Sequence, residues 1–120
     1  MERERFNRLV GEALDSLPAK FRRKIENVAV VVEDYPPGQE PVGRAQEGSE
    51  GLLMGEFQGT PATRKSVWDS AAGPDRIVLY QKNIEAVCET EKEIREEVRL
   101  TVLHELGHYF GMSEDQLEEV

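Results

Sequence analysis

Apolar residues recur at helical spacing near the start of the chain. Phe6, Leu9, Val10, Ala13, Leu14 and Leu17 stand among charged residues, the stripe that one face of a 3.6-residue helix presents. The pattern predicts an amphipathic helix over about residues 2–17, ended by Pro18, because proline cannot continue a helix interior. The period then changes. The run VAVVVE, Val28 to Glu33, is dense in β-branched residues and is stopped by Pro36 and Pro37, which predicts a buried strand. Residues 36–51 are rich in Pro, Gly and polar side chains and read as a loop. The glycine-bounded segment Leu52 to Phe57 predicts a second strand, and Arg76 to Gln81, opened by a Pro-Asp turn, a third. Trp68 falls in irregular chain between them.

Ile84 to Val87 can form a short helical turn. Thr90, with Glu93 three residues on, has the spacing of a capping box, and the helix it opens is expected to run to about Phe110 and break at Gly111. Ser113, with Gln116 at the matching position, caps a last short helix. The order is helix, three strands, then helices: an α+β domain with a small sheet covered by helices.

A length of 120 residues suits one domain spanning 1–120. The net charge is −9, so neither nucleic-acid phosphates nor an anionic membrane surface is an expected partner. A single cysteine, Cys88, permits no intrachain disulfide and reads as a small, half-buried apolar residue. The first ten residues, MERERFNRLV, hold no apolar signal core, and the longest apolar run, Val28 to Val32, is too short to span a bilayer. A cytoplasmic location is the expectation.

The chemistry is concentrated near the end of the chain. His104 and His108, the only two histidines, lie four apart, on one helical face and one turn from each other. Nitrogens so placed can meet one zinc ion at about 2.0–2.1 Å each. Glu105, next to the first histidine, projects roughly a hundred degrees round the helix, suited to act as general base on water activated by the metal. In shuffled chains of this composition, His-Glu-x-x-His followed three residues later by Gly arises about two or three times in ten thousand.

Zinc needs a third protein ligand if a position is to stay open for water. Twelve of the 120 residues follow His108, so that ligand is expected to be local. Gly111 can end the helix and turn the chain back beneath the metal. Glu114 stands three residues later, followed by Asp115. Glu114 is the first candidate and Asp115 the alternative; the layout matches that of the metzincins, which place a His at this last position. Acidic residues in the first turn after Ser113 also suit the helix dipole without any metal.

With these segments the chain resembles the short bacterial zincin-like metallopeptidases, or minimal metalloproteases. The resemblance spans nearly the whole chain: LDSLPAKFRRKIENVAVVVEDYPP, GLLMGEFQGTP, DRIVLYQKNIE and REEVRLTVLHELGHYFGMSEDQL stand in the family's order. It implies a minimal zincin-like fold, with a small, mostly three-stranded mixed sheet packed by an N-terminal helix and a zinc-binding helix. It also implies zinc-dependent hydrolysis of a peptide or protein substrate. The family usually carries Asp where this sequence has Glu114, one methylene longer.

Further roles are expectations at this stage. Glu97 and Thr101, upstream on roughly the same helix face, could orient the histidines. Tyr109 and Tyr80 are candidates to stabilise an oxyanion, and Leu52 to Phe57 is the candidate edge for a substrate added as a strand. Three readings compete: an active zinc peptidase, a zinc-binding zincin fold acting in binding or regulation, and a helical interaction domain without metal.

Overall fold

The strand run that ends in Tyr80 forms the centre of the protein. In the computed structural model, which describes residues 1–26, 28–38, 52–59 and 75–109, Ile77, Val78, Leu79 and Tyr80 are all buried. The elements are α1 (Arg3–Asp15), α2 (Ala19–Ile25), β1 (Ala29–Glu33), β2 (Gly55–Gln58), β3 (Arg76–Tyr80), α3 (Gln81–Val87) and α4 (Glu91–Tyr109). The sheet order is β1-β3-β2, with β3 parallel to β1 and antiparallel to β2. This is the α+β fold with a small mixed sheet that the sequence predicts.

Side chains alternate across β3. Ile77 and Leu79 join the core formed by Phe6, Leu9 and Ala13 of α1 and Val98, Val102 and Leu106 of α4. The helix stripe read from the sequence is therefore the face that packs. Tyr80, opposite in phase to Leu79, lies on the sheet face turned away from α4.

Four details differ from the sequence reading. The segment after Pro18 forms α2, in which Phe21 is the buried residue; Pro18 closes off α1 and stands at the N-cap of α2. Strand β1 is half-buried along its middle; among the described residues it is an edge of the sheet, and the enclosed position goes to β3. Strand β2 begins at Gly55 and not at Leu52. Helix α3 starts directly after β3 and encloses Gln81 and Asn83, whose amides donate to Glu85 and to the Leu53 carbonyl respectively. The loop from Gln39 to Gly51, Trp68, and the segment carrying Gly111, Ser113 and the last predicted helix lie outside the described residues.

Candidate metal centre

The site is set up by how α4 is anchored. Thr90 accepts the Glu93 amide at 3.1 Å, as the capping box requires, while the Glu93 carboxylate reaches back to the Glu89 amide at 2.7 Å. Ion pairing of Glu91 with Arg5, whose Nε lies 2.8 Å from Oε2, ties this first turn to α1; the guanidinium holds the Glu91 carboxyl below the usual carboxylate range. With Ile94, Val98, Val102 and Leu106 turned into the core, His104 and His108 are left exposed on the other side of the helix and Glu105 half-buried at its flank.

The two histidine Nε2 atoms lie 3.1 Å apart, with ring centroids 4.5 Å apart and rings tilted by 53°. Both rings thus aim the same nitrogen at one point. The spacing fits two ligands of one tetrahedral ion, for which bond lengths of 2.0–2.1 Å imply a nitrogen separation of roughly 3.3 Å. The donor set fits zinc as well: neutral imidazole nitrogens, with carboxylates close by in sequence. Among the described residues no group of three or more His, Cys, Asp or Glu side chains converges as a metal cage. Glu114 and Asp115, the candidates for third ligand, lie outside the described residues.

Glu105 does not point at random. Its Oε1 accepts the backbone amide of Phe57 at 3.0 Å, so the carboxylate is fixed between α4 and β2. That amide is available because, among the described residues, β2 is an edge strand. The Met54 carbonyl accepts the Tyr80 amide, so alternate residues address β3 and the backbone groups of Gly55 and Phe57 turn to the open edge. Close approach of β2 to α4 depends on Gly55: a Cβ there would stand 2.8 Å from the Val78 carbonyl oxygen and 2.9 Å from Cγ2 of Thr101.

The end of α4 is pinned as well. The Tyr109 hydroxyl donates to Asp75 Oδ2 at 2.6 Å, both groups buried. Its ring meets Phe57 edge-on, with centroids 4.3 Å apart. Asp75 in turn sits against Gly59, whose φ of +144° and missing side chain leave room for the carboxylate. Tyr109 is therefore a buried strut. Tyr80 is fully enclosed on the far sheet face, and its hydroxyl has no hydrogen bond of good geometry among the described residues. Burial first, and the negative charge of Glu56 second, push it up to about 12. Neither tyrosine is placed to receive an oxyanion at the histidines. Glu97 and Thr101 line a groove with His104 and Glu105, yet among the described residues neither makes a hydrogen bond to a histidine ring.

The sequence reading missed the Phe57 amide and Asp75. A backbone donor carries no residue-type signal, and Asp75 follows a proline and so reads as a turn residue.

The family described as zincin-like metallopeptidase matches residues 25–120. No curated protein matches the chain. Among solved structures, a conserved hypothetical protein from Thermus thermophilus is similar over 90% of this chain and 92% of its own, with 26% identity and a TM-score of 0.55.

Proposed function

We propose that this chain, which belongs to the zincin-like metallopeptidase family, is a zinc-dependent peptidase in which His104, His108 and Glu114, with Asp115 as the alternative, hold the ion. The convergence of two imidazole nitrogens to 3.1 Å carries this reading. Zinc in such a site supplies Lewis acidity, drawing the pKa of water toward ~7 and polarising a carbonyl.

The chain's own residues supply the rest. With Oε1 of Glu105 engaged by the Phe57 amide, Oε2 is the oxygen left to take a proton from the attacking water and return it to the leaving amine. The edge of β2 that faces away from β3 offers the Gly55 amide and the Gly55 and Phe57 carbonyls to an extended peptide, which would add as a further strand, while the Phe57 amide stays with Glu105. Such a strand would lie beside the histidine pair.

A Glu105→Gln variant tests the assignment. It keeps the hydrogen-bond acceptor for Phe57 but not the proton acceptor, so zinc binding should persist while cleavage of a peptide library falls about 100-fold or more. Normal zinc binding with undiminished cleavage would remove Glu105 from the mechanism. A second reading, a zincin fold that binds zinc and serves in binding or regulation, is favoured by one observation. The two tyrosines considered as oxyanion donors are both held away from the histidines, Tyr109 on Asp75 and Tyr80 on the far face. Under it, wild type and Glu105→Gln alike would leave the library uncut.

A further inference from the structure

A groove of about 440 Å³ runs beside the histidines, between α4 and the start of β2. One wall is Leu53 and Met54; the other is Leu100 and Glu97, and His104 and Glu105 stand at one end. Its apolar character is exposed. Leu53 and Leu100, at 37% and 50% exposure, are two of the three large apolar side chains left in solvent among the described residues. Its charge is also unanswered. The other acids of α4 are engaged: Glu91 with Arg5, Glu93 with the Glu89 amide, Glu96 with Arg99 and Glu105 with the Phe57 amide. Glu97 is half-buried and has no hydrogen bond or ion pair with any described residue.

We infer that this groove is a substrate subsite that selects a long basic side chain, lysine or arginine, with its aliphatic stem on Leu53 and Leu100 and its cation at Glu97. The inference rests on the peptidase reading above, and it names the substrate class that the reading leaves open. Lysine and arginine bury their stems on apolar surface while the charged head stays partly hydrated, which matches a groove with apolar walls and one half-buried carboxylate. A purely apolar side chain fills the walls but strips water from Glu97 without replacing it. An acidic side chain faces both Glu97 and Glu105. Length matters too: Glu97 lies seven residues from His104, about 10 Å along the helix axis. A side chain that starts beside His104 and ends at Glu97 must therefore be long.

The test uses the zinc-loaded Glu105→Gln protein and fluorescent peptides that carry lysine, norleucine or glutamate in turn at each position flanking the bond that wild type cuts, or, if nothing is cut, at each position of one extended peptide. Norleucine has a stem similar to that of lysine without its charge. At one position, lysine should bind about threefold tighter than norleucine and about tenfold tighter than glutamate, with the margin shrinking in high salt. Adding Glu97→Gln should erase the lysine advantage over norleucine, and Glu97→Lys should make glutamate the best ligand. Equal or undetectable binding of all peptides, or an order that Glu97→Lys leaves unchanged, overturns the inference. If that order holds while wild type cuts no peptide, the subsite stands and the peptidase reading alone falls.

Discussion

At residue scale, the pair His104 and His108 owes its geometry to one helical turn, which brings two imidazole nitrogens to 3.1 Å. What holds that turn in place is less visible. Tyr109, the next residue after His108, is fastened by a 2.6 Å hydrogen bond to buried Asp75 and by ring contact with Phe57. Tyr109→Phe removes the hydroxyl and leaves a buried carboxylate short of a donor. The expected loss of unfolding free energy is about 1.5–3 kcal/mol, the range for hydrogen bonds to charged groups, read by denaturant titration; an unchanged midpoint would mean the bond contributes nothing. The histidine pair was legible in the sequence because i, i+4 spacing maps directly onto one helix face. The Asp75–Tyr109 bond was not, since its partners are 34 residues apart and neither residue type announces the other.

At the scale of elements, the site is a joint between α4 and the edge strand β2. Gly55 sets the closeness of that joint. Gly55→Ala places a methyl group 2.8 Å from the Val78 carbonyl and 2.9 Å from Thr101, so β2 must shift outward. Overpacking of this kind costs about 1–3 kcal/mol, and the Phe57 amide should part from Glu105. Hydrogen exchange at Phe57 checks this directly: faster exchange is the expected result, and protection equal to wild type would show that β2 has not moved. Long, strongly periodic elements such as α1 and α4 were readable from the chain, because many apolar positions repeat the same phase. Helix α2 was not. It is seven residues long, with Phe21 buried and Ile25, one turn on, partly buried against the core, and a single i, i+4 repeat among Lys and Arg is too short to display a period. The start of β2 was misplaced for a related reason. Leu52, Leu53 and Met54 are apolar and continuous, but the regular strand begins at Gly55, with only the Met54 carbonyl reaching β3 before it, and exposed Leu53 serves the groove wall.

For the molecule as a whole, the two faces of the sheet have different tasks. The core with α1 and α4, and with it the histidine helix, lies on one side. The other side encloses Tyr80, whose hydroxyl is pushed up to about 12 by burial and then by Glu56. The sign of the pH effect follows from linkage. An unfolded tyrosine loses its proton near ~10, whereas folded Tyr80 keeps it, so the unfolded state is the one that deprotonates first. The stability tied to this group is fully present below pH ~10 and is lost as pH rises through about 12. Wild type should therefore lose more stability than Tyr80→Phe between pH ~9 and ~11, measured as the shift in denaturant midpoint; parallel losses would contradict it. The α+β class and the mixed three-stranded sheet were within reach of sequence pattern and family resemblance. Strand order was not, because pairing β3 between β1 and β2 is a non-local choice that no local pattern encodes.

The central claim is that His104 and His108 hold a catalytic zinc ion. X-ray absorption at the zinc edge of the reconstituted protein tests it most directly. One zinc per chain is predicted, with two imidazole nitrogens at about 2.0–2.1 Å and oxygen completing the shell, and with stoichiometric binding lost in His104→Ala. Protein that takes up no stoichiometric zinc, or zinc bound without imidazole, would contradict it.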